Sequence, residues 1–211
     1  ILNAVDANTK IIFLCSPNNP TGNSFSDESI IRILNNFKGL VVLDEAYIDF
    51  SANKSWLNEL NDFPNLIITQ TLSKAYAMAG LRIGILYASK PIIAVLNKIK
   101  PPYNVNILSQ EAAEKKLLQS TLKAQVRKIL VEKEKLVSAL KATKFIVKVF
   151  PSDANFILVK VDEATYRYQQ FLDNGVVVRN RSNQPLCENC LRITVGNKEE
   201  NERLMEVLKI L

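Results

Sequence analysis

Three short apolar runs set the terms on which the first half of this chain can fold. Residues 11–15, 40–43 and 66–69 are nearly uninterrupted hydrophobic segments. A strand with one face in water alternates apolar and polar residues. A continuous apolar run instead belongs to a sheet covered on both sides. Between the first two runs lies a helix signal: Ser26 as cap, Asp27 and Glu28 where the helix dipole favours carboxylates, and Ile30, Ile31, Ile33 and Leu34 carrying it to about Asn36. Gly39 closes that helix. The order predicts an α/β fold with a mostly parallel sheet and helices on both faces. A further run from Leu81 to Tyr87 follows Lys74 after only a short segment, so it is expected to pair differently from the rest.

From Pro91 the pattern changes. Residues 92–98 are helical, Pro101 and Pro102 interrupt, and residues 106–119 and 120–143 form two helices. In the second, Leu122, Val126, Ile129, Leu130, Leu136, Val137 and Leu140 recur at steps of three and four, marking one apolar face with lysines and glutamates largely opposite. Strands at 146–150 and 155–161, a helix at 163–173, strands at 176–179 and 191–195 and a closing helix from Lys198 follow. This tail is a small α+β unit. The division expected is residues 1–118 for the large-domain part and 119–211 for the linking helix and small domain.

Composition removes several kinds of chemistry. There is no histidine among the 211 residues, which excludes a Ser–His–Asp triad, a Cys–His pair and a His-ligated zinc. Cys187 and Cys190 form a CxxC with no second pair to complete a metal site, so no metal is expected and the thiols are taken as reduced cytosolic ones. The basic excess behind the net charge of +6 gathers on residues 115–148, where Phe145 is the one aromatic residue. Base stacking would require interleaved aromatic rings, so a nucleic-acid partner is not expected. No apolar run approaches the ~20 residues of a membrane-spanning helix. The chain opens with neither a leader nor an initiator Met, on the approach to a strand, and is expected to be part of something longer.

The chemistry that remains must use Lys, Asp, Tyr, Arg or a cofactor. Lys74 lies just past an apolar strand, after Thr71 and Ser73, a setting suited to a buried amine. Desolvation lowers a lysine pKa, and the free amine can then condense with an aldehyde. Alone, Ser-Lys carries little weight, since most lysines are solvated. Asp44 ends the run Val41-Val42-Leu43 at the C-terminal edge of a strand, where open α/β sheets place ligands. An acid there can keep a pyridine nitrogen protonated, although Asp44 by itself could equally cap a turn. Tyr47, and Asn19 in the turn Asn-Asn-Pro-Thr-Gly, can donate hydrogen bonds to a ring oxygen. Arg82 can clamp a phosphate through two parallel hydrogen bonds, with the hydroxyls of Thr71 and Ser73 beside it.

In their order and spacing these residues resemble the fold-type-I pyridoxal-phosphate aminotransferases. The motifs are Ser16-Pro-Asn-Asn-Pro-Thr-Gly22, Leu43-Asp-Glu-Ala-Tyr-Ile-Asp-Phe50, Thr71-Leu-Ser-Lys-Ala-Tyr76 and Gly80-Leu-Arg-Ile-Gly84. The tail motifs Pro151-Ser-Asp-Ala-Asn-Phe156, Gly175-Val-Val-Val-Arg179 and Leu191-Arg-Ile-Thr-Val-Gly196 resemble the histidinol-phosphate subgroup. The resemblance implies the C-terminal part of the large domain of that fold, followed by its small domain. It implies pyridoxal 5'-phosphate as cofactor, with Lys74 as the catalytic lysine and Asn19, Asp44, Tyr47, Thr71, Ser73 and Arg82 around it. Arg192 matches the arginine for the substrate's anionic group, Arg179 a second one, and Asn155 the small-domain asparagine near the substrate.

The activity so implied is amino transfer between histidinol phosphate and 2-oxoglutarate in histidine biosynthesis, by a cytoplasmic homodimer. The resemblance further implies that a complete member carries an N-terminal arm, phosphate-binding amides, a stacking aromatic ring and a partner-subunit tyrosine upstream of these motifs. The chain alone is accordingly expected to bind the cofactor weakly. Residues 19 to 82 would look alike in a threonine-phosphate decarboxylase or a C–S lyase on the same scaffold. A non-catalytic fragment serving assembly or regulation is the other alternative.

Overall fold

The apolar runs pair as the pattern requires. In the computed structural model, which describes residues 1–118 and 121–211, strands β1 (Ile11–Cys15), β2 (Leu40–Asp44) and β3 (Leu66–Thr71) lie side by side in parallel, with Cys15 opposite Asp44 and Asp44 opposite Thr69. Helix α1 (Asp27–Asn36) makes the first crossover. The Ser26 side chain accepts from the Ser29 amide at its N-terminus, satisfying a donor that has no partner within the helix. Gly39 follows α1 for a spatial reason: a Cβ there would collide with the Lys10 carbonyl and the Phe37 ring. Strand β4 (Gly84–Ala88) adds to β3 antiparallel, placing Thr71 opposite Gly84.

Side chains along a strand alternate between faces, and here the two faces differ. Ile12, Leu14, Val41, Leu43, Leu66 and Ile68 pack with Ile30, Ile33 and Leu34 of α1 and with Trp56 in one buried cluster. Full burial of a side chain such as Leu66 or Ile68 contributes roughly 1.5–3 kcal/mol. The other face carries Val42 and Ile67, which are buried, but also Phe13 at 69% exposure and Ile11 at 45%. The two-sided cover expected from the apolar runs is therefore complete on one face only.

The fourth strand starts three residues later than the sequence suggests. Ala79–Leu81 turns as a 3-10 helix, and Arg82 adopts a left-handed φ of 57°, which no β ladder accommodates. Helices α2 (Lys90–Ile99) and α3 (Ile107–Leu118) follow, and Ala113 of α3 is buried with Leu72 and Met78. The chain divides into two compact units: Ile1–Pro17 with Ser24–Leu122, and Asn18–Asn23 with Lys123–Leu211. Gln119 and Ser120, where the two expected helices and the expected domain boundary meet, lie outside the described residues.

The second unit is built on the long helix α4 (Leu122–Ala142). An antiparallel sheet of order β5-β6-β8-β7 accompanies it, made of β5 (Ile146–Val149), β6 (Phe156–Val161), β7 (Arg179–Asn180) and β8 (Cys190–Thr194). Helices α5 (Ala164–Asp173) and α6 (Lys198–Ile210) complete it. Leu136, Leu140, Ile157, Val159, Phe171, Leu191, Ile193 and Val207 form its core. Of the expected strand at 176–179 only Arg179 pairs with β8, together with Asn180 beyond it, and the Val176 amide is instead bound to the Phe171 carbonyl at the end of α5. The polar side of α4 is not wholly solvated either: Glu132 is buried and Lys133 is partly so. Among the described residues no helix is long and apolar enough to cross a membrane.

Candidate active site

The C-terminal ends of two parallel strands, β2 and β3, deliver most of the expected residues to one edge of the first unit. Asp44 is the last residue of β2, Thr71 the last of β3, and Tyr47, Ser73, Lys74 and Arg82 lie in the segments that leave that edge. Backbone geometry accounts for this placement. Parallel strands all end on the same side, and the loops beyond them are free to carry function because the sheet fixes their roots.

Asp44 is held by one oxygen. Its Oδ1 accepts from the Ala46 amide at 3.1 Å and from the Thr69 hydroxyl at 3.2 Å, while its Oδ2 makes no hydrogen bond among the described residues. Tyr47, three residues on, is buried, and the Lys74 amine stands over its ring, 5.2 Å from the centroid. Lys74 itself is exposed in this chain and rests on that aromatic face. The Thr71 hydroxyl accepts from the Ser73 amide at 3.1 Å and donates to the Ile83 carbonyl at 3.3 Å, so it shapes the lysine loop. Arg82 is exposed, and its Nη1 donates to the Ala79 carbonyl at 2.9 Å.

One residue that sequence reasoning passed over anchors this edge. Glu45, next to Asp44, is 1% exposed and accepts from the Ser55 hydroxyl at 2.6 Å, the Trp56 amide at 2.7 Å and the Gln70 side chain at 2.9 Å. A buried carboxylate survives only when its lone pairs are occupied. Here the occupants fasten the start of the Asp44–Tyr47 turn to β3 and to the segment before Trp56.

The remaining expected residues gather in the second unit. Arg192, on β8, donates through Nη1 to the Asn19 side-chain oxygen at 2.7 Å, and its guanidinium lies over the Phe156 ring at 5.0 Å. A guanidinium has donors only, so this contact turns the Asn19 carboxamide with its oxygen toward Arg192 and its NH2 away. Arg179 is the register partner of Arg192 across the β7–β8 ladder, which puts the two cationic side chains on one face. Asn155 begins the approach to β6, and its carbonyl accepts from the Val195 amide at 2.9 Å. The thiols of Cys15, Cys187 and Cys190 are free, and burial pushes Cys190 above the ordinary thiol range.

A sequence profile of the aminotransferase class I and II family matches residues 1–208. The chain belongs to that family. Among its curated relatives, a histidinol-phosphate aminotransferase of Flavobacterium psychrophilum is 68% identical over 211 residues, and one of Flavobacterium johnsoniae is 60% identical over 212. Each alignment takes in the whole of this chain but 61% of the relative, so the chain spans about three fifths of their length. Among solved aminotransferase structures, that of the histidinol-phosphate aminotransferase from Clostridium acetobutylicum matches with a TM-score of 0.87 at 26% identity, covering 95% of this chain and 63% of that one. The L-threonine-O-3-phosphate decarboxylase of Porphyromonas gingivalis is close as well, with a TM-score of 0.85 at 27% identity over 99% of this chain and 66% of that one. A Sinorhizobium meliloti histidinol-phosphate aminotransferase, solved with pyridoxal-5'-phosphate, matches at a TM-score of 0.84 and 27% identity over 96% of this chain and 58% of that one.

Proposed function

We propose that this chain is the Lys74-bearing part of a pyridoxal-5'-phosphate-dependent aminotransferase that moves the amino group of histidinol phosphate to 2-oxoglutarate in histidine biosynthesis. The observation that carries the reading is the Lys74 amine over the Tyr47 ring, beside the strand end where Asp44 is held through Oδ1 and its Oδ2 makes no hydrogen bond among the described residues. The choice of substrate rests on the curated relatives, whose names agree at 46–68% identity.

The donor set of the first unit suits that cofactor. Asp44 is fixed through Oδ1, and its Oδ2 can accept from a protonated ring nitrogen. Thr71, Ser73 and Arg82 offer hydroxyls and a guanidinium to a phosphate. When bound, the protonated pyridine ring supplies an electron sink that makes the substrate Cα–H acidic. Lys74 Nζ would hold the cofactor at its aldehyde carbon with loss of water, and once displaced by the substrate amine it could carry the proton from the substrate Cα to that cofactor carbon, as base and then as acid. The Tyr47 phenol and the Asn19 carboxamide serve the ring oxygen. Arg192 and Arg179 take the substrate's phosphate or carboxylate, with Asn155 nearby. Two cations directly opposite on one sheet face repel, and a doubly charged anion between them would relieve that repulsion. In this reading the protein works as a homodimer in the cytoplasm.

The experiment is an assay of the complete gene product with histidinol phosphate and 2-oxoglutarate. The reading expects glutamate to form. Release of carbon dioxide from threonine phosphate without glutamate formation would assign the scaffold to the decarboxylases instead.

A further inference from the structure

Lys133 is drawn out of the solvated row of lysines on α4. Its Nζ donates to the Ser152 carbonyl at 2.9 Å and to the Ala154 carbonyl at 3.2 Å. Burial pushes its pKa down, while the carboxylates of Asp153 and Glu134 act in the other direction. The two carbonyls belong to the turn that enters β6, and that turn is closed from within. The Ser152 hydroxyl accepts from the Ala154 amide at 3.1 Å and donates to the Phe156 carbonyl at 2.5 Å.

The same turn holds the loop of residues 18–23. The Asp153 amide donates to the Gly22 carbonyl at 2.7 Å, and the Gly22 amide donates to the Asn18 carbonyl at 2.7 Å. Gly22 has a φ of +80°, and a Cβ on it would sit 2.6 Å from the Ser152 hydroxyl oxygen, so the loop and the turn touch without space for a side chain. Between Asn18 and Gly22 lies Asn19, bonded to Arg192. On the other side the turn runs through Asn155 into Phe156, whose ring supports the same guanidinium. Both supports of the Asn19–Arg192 contact thus lead back to one turn, and that turn is tied to α4 by one ammonium group.

We infer that Lys133 is a positioning residue, which by holding the carbonyls of Ser152 and Ala154 sets where Asn19 and Arg192 present their side chains. Its bearing on catalysis rests on the roles proposed above for those two residues. The chemistry calls for a long side chain ending in several donors. Methionine would fill the space of the stem but leave both carbonyls without their partner, whereas arginine can still reach them.

The test compares Lys133→Met and Lys133→Arg with the unaltered complete gene product. Amide hydrogen exchange is followed at peptides covering residues 18–23 and 150–156, with residues 40–44 as a reference. The expectation for Lys133→Met is exchange about tenfold faster at Gly22 and Asp153, the size expected for loss of a hydrogen bond to a charged group. Exchange in the reference strand stays as it was, the melting temperature falls by no more than a few degrees, and Lys133→Arg restores protection. The KM for the phosphorylated amine is expected to rise about tenfold, within the hundredfold that a misplacement of 1 Å can cost. Unchanged exchange at residues 18–23 in folded Lys133→Met overturns the inference. So does faster exchange spread evenly over both units with a lowered melting temperature, since that is a general structural role. If the unaltered protein holds no cofactor, the proposed function fails, and the exchange measurement still decides the role of Lys133.

Discussion

Arg192 on β8 and Asn19, far upstream in the chain, are joined by a hydrogen bond of 2.7 Å. This contact fixes the direction of the Asn19 amide. Replacing Arg192 with Lys keeps the charge and loses the fork. The expected outcome is a fall in kcat/KM of roughly ten- to hundredfold, matching the 1.5–3 kcal/mol of a hydrogen bond to a charged group. Steady-state kinetics on the complete protein check it, and most of the loss should appear in KM.

Glu45 is the strongest structural anchor at the sheet edge. Glu45→Ala would leave the Ser55, Trp56 and Gln70 donors without their acceptor in a buried setting. A loss of about 3 kcal/mol of stability is expected, the scale of a broken buried network. Denaturant unfolding reads it directly, through a lower midpoint with an unchanged slope.

The sequence showed the parallel part of the first sheet clearly because three apolar runs and one capped helix agree with one another. It misled at β4, where Leu81-Arg82-Ile83 has a strand's composition but Arg82 is left-handed. It also misled at residues 176–178, whose valines favour a strand while the backbone bond to Phe171 takes Val176 away from β8. Asp44 and Thr71 were legible as polar residues closing apolar strands. Glu45 was not, because its three donors come from positions 55, 56 and 70 and only folding brings them together. Lys133 was hidden for a different reason: in a helix rich in lysine, nothing in the sequence distinguishes the one that reaches two carbonyls.

Gly22 offers a separate check on the loop that carries Asn19. Gly22→Ala places a Cβ against Ser152 at a φ that L side chains rarely adopt. Stability is expected to fall by about 1–3 kcal/mol, the usual cost of a residue held in a sparsely populated conformation. Thermal unfolding of the complete protein measures it. A change below a few tenths of a kcal/mol would mean that the loop moves away from the turn easily.

The Asp162–Arg167 pair predicts a pH dependence. Two hydrogen bonds from the Arg167 guanidinium, at 2.9 and 2.6 Å, lower the Asp162 carboxyl to about 2 from its ordinary 3.8. Because the folded value lies below the unfolded one, the pair's contribution is present above pH ~4 and is lost as pH falls toward 2. Asp162 is half exposed, so the contribution is at most about 1 kcal/mol. Asp162→Asn should therefore lower stability slightly at pH 7 and make no difference near pH 2, as unfolding measured at both pH values would show.

The role given to Lys74 is tested most directly by where the cofactor attaches. The complete protein is incubated with pyridoxal 5'-phosphate, reduced with borohydride and digested, and the modified lysine is located by mass spectrometry. The account predicts one dominant adduct, on Lys74, which disappears in Lys74→Ala together with the visible absorbance band. An adduct spread over the many surface lysines, or seated on another lysine with Lys74 unmodified, would contradict it.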